Sequence, residues 1–262
     1  MSGYAAGQAK AAAQLLLAVR RRGAPPLAGL PAELVPPTLA DAYAVQQEVR
    51  RELGTTIGGW KASLFSPTDG ICAALHANSV CDAPLRLREE RQPTVGARRF
   101  GVEPEVAFRL GDDLKPLAGG AAYGREDVMA RIASAHAVIE VMVSRYADPE
   151  AVSLLENVAD LYMNELLVVG PSAPRWRDLS IADLLLQFRI DDKPVQQGRG
   201  GHPLNDPLLP VVWLANHLIG HGRHLRAGEV VTTGSWAGTP VVRKGQSVSA
   251  WFTGLGSSFV SF

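Results

Sequence analysis

The spacing of apolar residues changes along the chain, and each change predicts an element. Residues 5–22 have helix-forming composition that breaks at the Gly/Pro-rich "GAPPLAGLP". In "PPTLADAYAVQQEVRREL" the apolar positions 39, 42, 45, 49 and 53 keep a helical period. Thr38 stands as N-cap with Asp41 three residues on, and basic residues precede Gly54. "TIGGWKASLF" reads as a short strand or tight turn holding Trp60 and Lys61. Residues 72–99 read as loop with one short strand, rich in arginine (Arg86, Arg88, Arg91, Arg98, Arg99).

"FGVEPEVAFRL" predicts a strand, and alternate residues of a strand share a face, so Glu103 and Glu105 point together. "REDVMARIASAHAVIEVMVSRY" begins as a helix with an acidic first turn and turns β-rich at about Ala137, which places Glu140 in an apolar strand. "NELLVVG" reads as a buried strand, "PLLPVVWLANHLIGHG" as a helix closing on Gly222, and the tail from Gly228 as several strands. Early helices followed by many strands predict an α+β arrangement.

Composition narrows the partners. Lys plus Arg equals Asp plus Glu at 26 each in 262 residues, so no net field draws in nucleic acid or an anionic membrane. No apolar stretch approaches the ~20 residues of a membrane span. The charges of "AAAQLLLAVRRRG" follow its apolar run, which predicts an ordinary helix and not a signal sequence. Cys72 and Cys81, without a second pair or histidine box, predict reduced thiols in a cytoplasmic protein.

The carboxylates carry the candidate chemistry. Burying an isolated carboxylate is expensive, so Glu103, Glu105 and Glu140 call for a lysine, an arginine or a metal ion among them. Three glutamates suit a hard divalent cation such as Mg2+ or Mn2+; solvated faces or separate pairing with arginines are the other readings. His217, His221 and His224 lie at i, i+4 and i+7 but lack the glutamate of an H-E-x-x-H site, and read as helix-end histidines facing solvent. The glycine-rich "GRGGHP" and "GLGSS" lack the strand-to-helix context of a phosphate loop.

The ordered series "DAYAVQ", "GGWKAS", "FGVEPEVAF", "IEVMVSR", "GHPLNDPLLPVVWLANHL", "LRAGEVVTTGS" and "GLGSSFVSF" resembles the 2-keto-4-pentenoate hydratase and 4-oxalocrotonate decarboxylase group of the fumarylacetoacetate hydrolase fold superfamily. The resemblance runs from about residue 10 to the C-terminus. It implies one domain over 1–262, mainly helical through residue 55, then a mixed β-sheet, barrel-like core over 56–262. It implies a divalent metal on Glu103, Glu105 and Glu140, a catalytic, substrate-facing Lys61, and substrate contacts from Asp160 and Ser235. His202 falls in a motif that looks like a structural turn.

The activity implied is metal-dependent hydration of a 2-hydroxy-2,4-dienoate, with decarboxylation of a 2-oxo-dienedioate as the alternative on the same scaffold. Homo-oligomers, and a complex with a homologous decarboxylase or hydratase, are implied as well. A diacid substrate would call on one of the arginines, Arg109 included. The chain departs from the group's pattern at Val143, where an aspartate is usual, at Leu161, Tyr162 and Met163, which replace a small polar segment, and at "ALHANSVCDAPL". These changes remove polar groups that would position water or a substrate carboxylate. A non-catalytic partner that keeps the fold is therefore a reading of another class, and a hydrolase of an acylpyruvate-like compound a third.

Overall fold

The computed structural model describes residues 4–88, 94, 96–97, 99–173 and 175–262. Helix α1 (Ala6–Arg22) and helix α2 (Leu39–Leu53) come first. Thr38 caps α2 by accepting from the Asp41 N–H, and Gly54 ends it with a left-handed φ of 61°, as the pattern predicted. Their apolar faces (Ala12, Leu16, Val45, Val49) pack with Ile71 and Ala73 of the sheet and with Val158 and Leu161.

Strands β1 (Ile57–Ser66) and β2 (Asp69–His76) form an antiparallel pair, followed by the short β3 (Val80–Asp82) and β4 (Leu85–Arg86). Residues 72–86 thus hold more strand than the loop expected from their irregular pattern. The cause is long-range pairing: β3 runs parallel to β7 (Asn164–Val169), and β4 parallel to β13 (Gly256–Ser261). Arg91 and Arg98 lie outside the described residues.

The long strand β5 (Arg99–Leu110) pairs antiparallel with β6 (Ile132–Met142), which follows helix α3 (Arg125–Arg131) directly. The strand starts at Ile132, ahead of the expected change at Ala137. Ala135 and Ala137 have helical propensity, but pairing with Phe108 and Val106 overrides it. Helix α4 (Leu154–Ala159) leads into β7. Strands β8 (Leu185–Ile190) and β9 (Lys193–Arg199) form a hairpin through Asp191 and Asp192, both at positive φ. The pattern does not predict this hairpin, because β9 is largely exposed and shows no apolar alternation. Helix α5 (Leu209–Gly220) precedes β10 (Val230–Thr232), β11 (Val241–Arg243) and β12 (Ser247–Phe252).

These strands make two mixed sheets, β2-β1-β10-β5-β6-β7-β3 with β11 also on β5, and β4-β13-β12-β8-β9. The arrangement is the α+β, curled mixed-sheet core expected. Parallel pairing of β1 with β10 brings the backbones so close that a Cβ on Gly59 would meet the Val230 carbonyl oxygen at 2.2 Å, which explains the glycine before Trp60 and Lys61. On β5 one face (Val102, Val106, Phe108) enters the main core, and the other carries Glu103 and Glu105. Among the described residues no helix is long and apolar enough to cross a membrane.

Candidate active site

Glu103 on β5 stands opposite Glu140 on β6, and Glu105 projects from the same face two residues along. Pro104 between them is tolerated in a long strand because its backbone points away from β6; its carbonyl accepts from Trp236 N (3.0 Å) in the loop joining β10 to β11.

Each carboxylate is anchored by one oxygen. Glu105 Oε2 accepts from Thr232 Oγ1 and from Gly234 N (2.6 Å), Glu103 Oε1 accepts from Thr239 Oγ1, and Glu140 Oε1 accepts from Asn164 Nδ2 (2.8 Å). Gly234 has φ 109°, a backbone conformation that turns its N–H onto Glu105 and that other residues adopt only with strain. His202 supports this loop by donating from Nε2 to the Thr233 carbonyl (2.8 Å) while Nδ1 accepts from Leu204 N. His202 is thus a turn-holding group, as its motif predicted. Burial keeps it neutral by lowering its pKa.

The three carboxylates converge. One oxygen from each of Glu103, Glu105 and Glu140 lies within 4.8 Å of the others. Lys61 Nζ is 2.9 Å from Glu140 Oε2 and 4.0 Å from Glu103 Oε2. Glu105 Oε1 is buried without a hydrogen-bond partner. One ammonium cannot balance three carboxylates in a site where Glu105 and Glu140 are fully buried. Burial first, then Glu140 and Glu103, push the Glu105 carboxyl well above the usual range, and burial also raises Glu140 against the pull of Lys61. An all-oxygen donor set with an orphaned buried oxygen fits a hard divalent cation held by these three residues. Burial alone would lower the Lys61 pKa, but the combined field of Glu140, Glu103 and Glu105 outweighs it and holds the ammonium charged.

The cluster opens on a cavity of about 1490 Å³ whose lining includes Lys61, Glu103, Glu105, Val143, Tyr162 and Met163. Ser235 also lines it, with its hydroxyl proton given to the Gly238 carbonyl (2.7 Å). Leu161, Tyr162 and Met163 occupy the left-handed region consecutively, with φ of 57°, 47° and 64°. Each such residue costs on the order of 1–2 kcal/mol. This turn puts the Tyr162 carbonyl 3.3 Å from Lys61 Nζ and its ring centroid 4.8 Å away, so the segment that departs from the group's pattern covers the lysine.

Asp160 is not brought to the cavity. Its carboxylate is spent on Arg145, accepting from the backbone N (2.9 Å) and from Nε, and Arg145 Nη1 also reaches Glu165 Oε2 (3.2 Å). The substrate contact expected of it is therefore replaced, in this structure, by a buried ion pair. Arg109 likewise turns away, giving Nη1 to the Gly228 carbonyl, whereas Arg99 lines the cavity. His217 does not face solvent as expected. It stacks on Trp213 with centroids 4.3 Å apart and meets the Tyr43 hydroxyl at 3.0 Å through Nε2. Thr232, Thr239 and Asn164, which orient the carboxylates, escaped the sequence reading because isolated threonines and asparagines carry no spacing signal.

The family model described as fumarylacetoacetate (FAA) hydrolase C-terminal matches residues 61–259. The chain belongs to that family. The 2-keto-4-pentenoate hydratase of Burkholderia vietnamiensis is 30% identical over an alignment of 234 residues that covers 84% of this chain and 85% of the relative. The 4-oxalocrotonate decarboxylase of Pseudomonas putida is 28% identical over 243 residues, 86% of each. The solved structure of 4-oxalocrotonate decarboxylase from Pseudomonas putida G7, complexed with magnesium and adipate, superposes with a TM-score of 0.82 at 24% identity, covering 98% of this chain and 97% of that one. That likeness shows that the chain shares the decarboxylase's fold along nearly its whole length.

Proposed function

We propose that this chain is a hydratase that adds water to a 2-hydroxy-2,4-dienoate to give a 4-hydroxy-2-oxo acid, with Mg2+ or Mn2+ held by Glu103, Glu105 and Glu140. The observation that carries the reading is Glu105 Oε1, buried and unpartnered beside two further carboxylates on a cavity wall. The hydratase relative and the magnesium in the solved decarboxylase support it. When bound, the ion supplies Lewis-acid polarisation of the 2-oxo group and charge neutralisation.

The chain's own residues do the rest. Thr232, Gly234, Thr239 and Asn164 hold the carboxylates in place, so no reorganisation is needed when substrate arrives. Lys61 is a charged donor with three N–H groups, directed at Glu140, the Tyr162 carbonyl and Met142 Sδ (3.2 Å). The thioether is a weak acceptor. A substrate oxygen entering the cavity takes that donor in its place, and Lys61 stabilises negative charge developing there. Val143, Tyr162 and Met163 provide an apolar wall that suits an uncharged diene tail and limits water.

A second reading rests on Arg99 at the cavity lining, which suits the distal carboxylate of a 2-oxo-dienedioate and hence decarboxylation. The chain acts as one unit over 1–262, as a cytoplasmic homo-oligomer; light scattering checks the assembly.

The test is a Mg2+- and Mn2+-dependent ultraviolet assay on freshly generated 2-hydroxy-2,4-pentadienoate with product analysis, comparing the native chain with Glu105→Gln. Metal-dependent loss with hydrated product, abolished in the variant, is expected. Carbon dioxide release from the dienedioate selects the second reading. Metal binding without turnover of either compound overturns both and favours a non-catalytic partner.

A further inference from the structure

The reverse face of β1 borders a second cavity, independent of the carboxylate cluster. Trp60 alternates with Lys61 along the strand and so points the opposite way, into a space of about 180 Å³ between β1, β2, α2 and α5. Two guanidinium groups line it, Arg50 from the last turn of α2 and Arg223 just beyond α5. Arg50 gives Nη1 to the Thr55 carbonyl (3.3 Å). Among the described residues neither arginine has a carboxylate partner, and the Arg223 side chain makes no hydrogen bond. Burial, and then the charge of Arg50, hold Arg223 below its ordinary pKa.

No lining group supplies the missing negative charge. Burial pushes the Cys72 thiol up to about 12 and raises the Tyr43 phenol further, so both stay neutral. The Tyr43 oxygen is already engaged by Cys72 N and by His217 Nε2. Two guanidinium groups without a carboxylate partner, in a space also lined by Tyr43, Trp60 and Leu218, match an anionic head on a short apolar body. With liquid water occupying about 30 Å³ per molecule, the space holds on the order of six waters, the size of a short-chain acid.

We propose that this cavity binds a small organic carboxylate, its head on Arg50 and Arg223 and its apolar part against Tyr43, Trp60 and Leu218.

The test titrates butyrate into the full-length protein and follows the Trp60 indole N–H resonance, assigned with Trp60→Phe. Butanol serves as the neutral control and inorganic phosphate as the competing anion. A saturable shift with butyrate and none with butanol is expected. Arg223→Gln and Arg50→Gln should each weaken binding about tenfold or more, as loss of a charge-assisted fork implies. The Glu105→Gln chain should bind unchanged, which separates this site from the carboxylate cluster. If Arg50→Gln does not fold, Arg223→Lys carries the test, since it keeps the charge and removes the fork. No saturable Trp60 shift, equal binding by the arginine variants, or response to phosphate alone overturns the proposal.

Discussion

Asn164 Nδ2 donates to Glu140 Oε1 at 2.8 Å and so leaves Oε2 for Lys61 and the carboxylate cluster. The contact exists because the β6–β7 register shifts between Val141 and Met142, a local irregularity that sets Asn164 opposite Met142 and turns its amide toward Glu140.

Replacing Asn164 with leucine frees Glu140 to rotate and leaves its buried oxygen without a donor. Metal affinity, measured by calorimetry with Mn2+, should fall about 10- to 100-fold, the usual effect of losing a partner that orients a ligand. The fold should persist, which circular dichroism checks.

Asp160 tests the division between site and scaffold. Asp160→Asn removes a charge from the fully buried Arg145 pair, and unfolding in urea should show a loss of roughly 3 kcal/mol. Turnover per folded molecule should stay near the native value, because the carboxylate does not reach the cavity. A large rise in KM with unchanged stability would restore Asp160 to substrate binding.

The left-handed turn at Tyr162 predicts an unusual tolerance. Tyr162→Gly deletes a ring but removes strain of about 1 kcal/mol. Stability should stay within about 1 kcal/mol of native, where the same change at an ordinary φ costs more. The uncovered Lys61 should alter KM for dienoates, measured in the ultraviolet assay.

His76 sets an acid limit. Burial, then the nearby Arg20, Arg50 and Arg145, lower its pKa to about 3, and its Nε2 has no partner. The unfolded histidine titrates near ~6.5, so the unfolded chain binds the proton first. Stability is therefore insensitive to this group above ~6.5 and falls as pH drops from there toward about 3. At pH 5 the loss is about 2 kcal/mol, and His76→Gln should shrink the difference between urea unfolding at pH 7.5 and pH 5 by about that amount, leaving the share of His217 and His202, whose pKa values burial also lowers.

Much of this architecture was legible early. The cap at Thr38 and the stop at Gly54 act through neighbours within one helical turn, so the bounds of α2 follow from adjacent residues. The hairpin β8–β9 and the start of β6 were less visible. Exposed β9 lacks alternation, and the alanines of β6 become strand through partners on β5. Strand alternation puts Glu103 and Glu105 on one face, whereas nothing in the pattern around Asp160 shows that its carboxylate lies against Arg145.

By itself the sequence determined that Glu103 and Glu105 share a face, because side-chain alternation along a strand is a property of the local backbone. Tertiary structure alone decided which oxygen of each carboxylate is spent and which remains. Those choices depend on Thr232, 127 residues from Glu105, and on Asn164, 24 residues from Glu140. Donors so distant in the chain meet their acceptors only through strand register.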